Sequence, residues 1–204
     1  MCRAPFQPSG PAWARKFPAS SKLADLSNPF RGDATRFIAA MTHAGIHTHI
    51  FSTLRPYERI YLMHYAWMIA NKKIDPRDVP AFVPKRGQAS VDICWVHAKA
   101  PGVADLPASV KAAEQMLPAF GIDPRNKIAP ALDSGHARGQ AIDMTTTWTS
   151  ARVTIVDAHG HRVTIGALPR DGVNAQLISV GATYGVIHLQ PPGNDPNHWS
   201  INGR

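Results

Sequence analysis

Three side chains far apart in the chain, His136, Asp143 and His198, are of the types that hold a catalytic zinc ion. Zinc takes imidazole nitrogen and carboxylate oxygen, and a catalytic site combines three protein ligands with a fourth, open position. The first two lie in Ser134-Gly135-His136-Ala137-Arg138-Gly139-Gln140-Ala141-Ile142-Asp143, and the third in Asp195-Pro196-Asn197-His198-Trp199. Asp195 is left over as an uncoordinated acid, placed to move protons. The expectation is one zinc per chain, held by His136, Asp143 and His198.

The spacing makes a demand on the backbone. On one unbroken strand His136 and Asp143 would face opposite sides, because side chains alternate along a strand. Gly139 is the residue that can bend or bulge there at little steric cost. After it, Gln140 to Met144 alternates as a strand that delivers Asp143, with the small Ala141 on the same face leaving room. Pro196 pre-sets a tight turn through which Asp195 and His198 can converge on one centre.

The pattern Ser-x-His-x-x-Gly-x-Ala-x-Asp followed by Asp-x-x-His resembles the zinc peptidases that cut peptidoglycan stem peptides. That group holds D-Ala-D-Ala dipeptidases and carboxypeptidases and phage L-alanyl-D-glutamate endolysins; lysostaphin and hedgehog signalling domains belong to the same fold group. Ser52-Thr53-Leu54-Arg55-Pro56 is similar to the family's Tyr-Arg segment, whose Arg lies near the reacting carbonyl; here Leu54 replaces the Tyr, and Arg59 stands about where a Gln is often found. The likeness spans roughly residues 31 to 201.

The resemblance implies an α+β fold, with an antiparallel sheet carrying the zinc site and helices flanking it. It also implies an enzyme: a zinc metallopeptidase hydrolysing an amide bond of bacterial peptidoglycan. Asp195, where the D-Ala-D-Ala enzymes more often carry Glu, favours L-alanyl-D-glutamate endopeptidase cleavage over D-Ala-D-Ala carboxypeptidase or dipeptidase activity. A metal-holding binding module without catalysis is the other class the fold allows, and the spare carboxylate of Asp195 speaks against it. In the enzyme reading Asp195 transfers the protons and Arg55 steadies the oxyanion; the plainer role for Arg55 is a salt bridge to Glu58 or another surface acid. Ser134 would orient a ligand through a hydrogen bond. Trp199 either walls the site or fills the core.

Length and composition set the frame. A chain of 204 residues with 44% hydrophobic content fits one domain with a sizeable core, expected over residues 31–204, behind a basic Pro/Ser-containing extension over residues 1–30. A net charge of +8 suits polyanionic surroundings, including nucleic acid, anionic lipid and the bacterial envelope. No nucleic-acid recognition motif is present. Nor is there an apolar run of membrane-spanning length, so stable insertion is not expected. Residues 1 to 8 lack the apolar centre of a secretory signal. Synthesis in the cytoplasm, then action in the periplasm or wall after lysis or dedicated secretion, is the corresponding expectation. The extension is either an arm for an anionic surface or a delivery partner, or a segment pinned to the domain by Phe6, Trp13 and Phe17. Cys2 and Cys94 form no framework, and both read as free thiols.

The elements that must position the ligands follow from periodicity. A helix is expected over Asp33 to Ala44, stopped by Gly45. A strand from Ile46 to Ser52 comes next, with His47, His49 and Phe51 on one face. His43, His47 and His49 read as surface or edge-strand residues. Tyr57 to Ala70 is the strongest helix, with Ile60, Met63, His64, Trp67 and Met68 as its stripe. Residues 71–104 read as irregular around a short apolar run, Val91 to His97, in which Cys94-x-x-His97 lacks the second pair a structural zinc site needs. Further helices are expected over Ala104 to Phe120 and Asp171 to Thr183. Between them, residues 152–156 and 162–165 form a hairpin whose turn holds His159 and His161, and Tyr184 to Leu189 makes a late strand.

Overall fold

The computed structural model describes residues 5–192 and 195–204. In chain order its strands and α-helices are β1 (Gln7–Pro8), α1 (Phe30–His43), β2 (His47–Ser52), α2 (Tyr57–Ala70), β3 (Ile93–Cys94), β4 (His97–Ala100) and β5 (Val103–Asp105). Then come α3 (Leu106–Ala119), β6 (Ala141–Thr147), β7 (Val153–Val156), β8 (Arg162–Ile165), α4 (Ala175–Thr183), β9 (Ile187–His188) and β10 (His198–Ser200). Helices stand beside an antiparallel sheet, the α+β class expected.

Two compact units make up the chain: one of residues up to Pro18 with Pro56–Asp133, the other of Ala19–Arg55 with Ser134–Arg204. In the first, α2 is buried nearly all round rather than along one stripe, with Ile60, Tyr61, Leu62, Met63, Ala66, Trp67 and Ile69 all in the interior. It packs with Met116 and Leu117 of α3 and with Val91, Ile93 and Trp95. The N-terminal segment is pinned, as one of its two readings required. Trp13 is buried and stacks on Phe17, β1 pairs in parallel with β3, and the Arg59 guanidinium donates to the carbonyls of Ala14 and Phe17. Phe6 stays half exposed. Cys94 is disulfide-bonded, which overturns its reading as a free thiol and removes it as a metal ligand; the same expectation for Cys2 falls outside the described residues.

The second unit is built on a four-stranded antiparallel sheet of order β2-β6-β10-β9. One face packs on α1 and α4 through Phe37, Met41, Ile142, Met144, Leu177, Val180 and Trp199. Alternation then sends Ala141, Asp143, Thr145 and Thr147 of β6 to the opposite face. The register sets His198 of β10 against Asp143 and, past a bulge between Ile50 and Ser52, Ser52 of β2 against Asp143 from the other side. The β7–β8 hairpin forms as expected, Val153 opposite Ile165. The last helix starts four residues later than its apolar pattern suggested, because Asn174 caps it by accepting from the N–H groups of Gln176 and Leu177.

Candidate metal centre

His136 reaches the centre from a single turn of 3-10 helix, Gly135–Arg138, not from a strand. Ser134 caps that turn, its Oγ accepting the backbone N–H of His136 at 3.3 Å, so it fixes the ligand through the main chain. Gly139 ends the turn in the left-handed region at φ 64°, and a side chain there would strike the backbone of Asp25 and Ser27. The chain does turn at Gly139, but by ending a helix instead of bulging a strand. Two further bonds tie His136 to the segment after β2: its Nδ1–H donates to the Thr53 carbonyl at 2.7 Å, and Arg55 N–H donates to its carbonyl at 3.1 Å.

Three ligand atoms now meet. His136 Nε2 lies 3.1 Å from Asp143 Oδ1, His198 Nδ1 lies 3.0 Å from the same oxygen, and the two nitrogens are 3.3 Å apart. Ligands bonded at zinc-like lengths sit about 3.3 Å from one another in a tetrahedron and about 3.0 Å in an octahedron. The observed triangle therefore fits a first-row divalent cation. Among the described residues these three form the one group of three or more His, Cys, Asp or Glu side chains close enough to share an ion.

The donor chemistry fits as well. A carbonyl only accepts, so Thr53 O holds the proton of His136 on Nδ1 and leaves the Nε2 lone pair facing the centre. Arg204 O does the same for His198, accepting from Nε2–H at 3.1 Å and leaving Nδ1 facing inward. Outer partners of this kind set the tautomer and orientation of metal-binding histidines. Asp143 offers Oδ1 to the centre, while its Oδ2 pairs with the Arg55 guanidinium, whose Nε–H donates to Ser52 Oγ at 2.9 Å. Arg55 thus stands on the outer oxygen of a candidate ligand.

Electrostatics follow from that packing. Burial opposes the Asp143 carboxylate, yet the His136 and His198 rings and the Arg55 charge outweigh it and hold the group well below the usual carboxylate range. Burial likewise opposes a charged His198, but Asp143 more than compensates and raises it above the ordinary imidazole value, with a smaller push from Asp195. The pair therefore favours a proton on His198, and a metal bound there would compete with it.

Asp195 stands outside the ligand group and is exposed. Its Oδ1 accepts from Asn197 N–H and its carbonyl from His198 N–H, each at 3.3 Å, which forms the turn. Trp199 is core: fully buried, its ring 5.4 Å from Phe37 and 4.6 Å from His188. His161 pairs with Asp157 within the hairpin turn, and His97 with Ser9. Sequence reasoning missed the carbonyls of Thr53 and Arg204, which carry no residue-type signal. It also passed over His188, whose buried ring lies between the Leu189 and Pro196 carbonyls, Nδ1 2.8 Å from one and Nε2 3.1 Å from the other. Comparison with family models, curated proteins and solved structures finds no match for this chain. Among the described residues, no helix is long and apolar enough to cross a membrane.

Proposed function

We propose that this chain is a zinc-dependent peptidase that cuts bacterial peptidoglycan stem peptides, with the L-alanyl-D-glutamate bond as its target and a hedgehog/D-Ala-D-Ala peptidase-like fold. The observation that carries the reading is the triangle of His136 Nε2, Asp143 Oδ1 and His198 Nδ1, with 3.0–3.3 Å sides and an acid left outside it. Two imidazoles and one carboxylate suit zinc in a hydrolase. What the ion supplies when bound is a water acidified toward neutral pH and a polarised scissile carbonyl.

The chain's own groups do the rest. Asp195, exposed beside His198, takes the proton from the attacking water and returns it to the departing amine nitrogen. Arg55 holds Asp143 in a one-oxygen pose and contributes positive charge beside the site, where negative charge develops on the carbonyl oxygen. Ser134 and Thr53 keep His136 in place. The disulfide at Cys94 supports action in an oxidising compartment, outside the cytoplasm, where wall peptide lies. The net charge of +8 suits the acidic envelope, and the peptide is the partner proposed, not nucleic acid or bilayer.

Metal analysis of the purified protein should find one zinc per chain, and digestion of purified muropeptides followed by mass spectrometry should release fragments with a new D-glutamyl amino terminus. Fragments shortened only by a terminal D-alanine would replace the endopeptidase with a carboxypeptidase. Intact muropeptides in the presence of zinc-loaded protein would remove the peptidase.

A further inference from the structure

The sheet face that carries Asp143 does not end at the metal centre. On β6 the same face continues to Thr145 and Thr147, both exposed, and the register sets them opposite His49 and His47 of β2. Both imidazoles are exposed and hydrogen-bond to nothing among the described residues. Two residues along a strand is about 7 Å, so the His49–Thr145 row is the next one outward from Asp143. The rows differ in charge. Thr147 is also bridged to Asp171, which puts a carboxylate beside the outer row, its Oδ1 accepting from Val173 N–H. The inner row, by contrast, offers an imidazole N–H and a threonine hydroxyl and no acid.

We infer that His49, with the Thr145 hydroxyl, binds a substrate carboxylate that flanks the scissile amide. This rests on the peptidase reading and deepens it. An imidazole can donate a hydrogen bond to a carboxylate whether neutral or charged, and a hydroxyl supplies a second donor. In an L-alanyl-D-glutamate bond the glutamyl α-carboxylate sits on the carbon next to the departing nitrogen. With the amide at the metal, that acid falls toward the adjoining row, while Asp171 repels it from the outer one. His49 therefore acts as a specificity residue, touching substrate but no reacting atom.

The test compares a stem peptide with a free glutamyl α-carboxylate and the same peptide amidated there, using the zinc-loaded full chain. His49→Ala should raise KM for the acidic peptide about tenfold, as expected for one hydrogen bond to a charged group, with kcat and zinc content unchanged. His49→Gln, which keeps a donor, should recover most of the loss, and the amidated peptide should be indifferent to both variants. Equal effects on the two peptides, or none on either, overturn the inference while leaving the peptidase standing. Should the wild type cut neither peptide, the peptidase reading itself fails. NMR titration of the His49 ring with L-alanyl-D-glutamate and its α-amide then decides separately: a shift with the acid alone supports the subsite, and no difference overturns it.

Discussion

His188 holds the turn that delivers His198. Its ring is fully buried against Trp199, and Nε2 lies 3.1 Å from the carbonyl of Pro196, two residues before His198. The backbone adds a second tie, Leu189 N–H donating to His198 O at 3.0 Å. Replacing His188 with Phe keeps the ring volume against Trp199 but removes the polar contact. His188 acts on the turn and not on the His198 ring, so zinc affinity measured by chelator competition should fall by about tenfold, the lower end of what a partner bonded directly to a ligand is worth. An unchanged affinity would mean that the strand pairing alone holds the turn.

Gly172 lies close against the same turn. A Cβ at this position would sit 2.9 Å from the Pro196 carbonyl oxygen, a backbone atom that cannot swing away. Gly172→Ala should therefore push the turn outward and cost roughly 1–3 kcal/mol, the usual range for overpacking. Thermal unfolding with and without zinc separates the effects. A loss in both forms is strain, and a larger loss in the loaded form shows that His198 has been displaced. A variant as stable and as tightly metallated as wild type would mean the neighbouring backbone yields freely.

What the sequence revealed, and what it hid, follows from where the information lies. Donor chemistry is written in residue type, so His136, Asp143 and His198 could be picked out as candidates, and the fold brings the three together. The Tyr57–Ala70 helix is bounded by Pro56 and a long apolar pattern, and its limits match. The route by which His136 arrives was hidden because a four-residue 3-10 turn leaves no periodicity to tell it from a strand ahead of Gly139. The His198–Ser200 strand is three residues long, too short to show alternation, and is created by pairing with Asp143, 55 positions earlier. The disulfide at Cys94 had no signal, since the sequence holds only two cysteines and no spacing pattern. The all-round burial of α2 was missed because its neighbours come from distant segments.

Acid and base should each destabilise the metal-free protein, through different groups. Asp143 has a depressed folded pKa, so its contribution is complete above about 3.9, the unfolded carboxylate value, and is lost as pH falls below that. His198 has a raised one, so its contribution is complete below about 6.5 and is lost as pH rises through its folded value. The melting temperature of the chelated protein should then decline on both sides of a window near pH 4–6.5. With zinc present the cation takes the proton's place, and the stabilisation it gives should grow from pH 6 to 8. A zinc-induced shift that is flat over that range would contradict the protonated pair.

Arg55 separates two roles that sequence likeness merges. A residue serving only the reacting carbonyl would affect turnover and leave metal binding alone. Paired with Asp143 Oδ2, it should affect both. Arg55→Ala leaves a buried carboxylate without its outer partner, so zinc affinity should drop about tenfold, and kcat/KM by a hundredfold or more. Arg55→Lys keeps the charge but not the fork that joins Ser52 and Asp143, and should fall between. Wild-type zinc affinity in Arg55→Ala would assign the residue to the carbonyl alone.

Asp195 carries the sharpest prediction, because it sits in the turn beside His198 but outside the candidate ligand group. It shapes the turn through its backbone carbonyl as well as its side chain, and only the side chain can move a proton. Asp195→Asn preserves an acceptor for Asn197 N–H and so keeps the turn, but removes the base. Zinc content should stay at one per chain while kcat falls by about 10²–10⁴, the usual worth of a general acid–base group. Asp195→Ala should match it in turnover and lose slightly more stability. Full activity in Asp195→Asn would require another group to accept the water's proton, and the mechanism would have to be rebuilt around it.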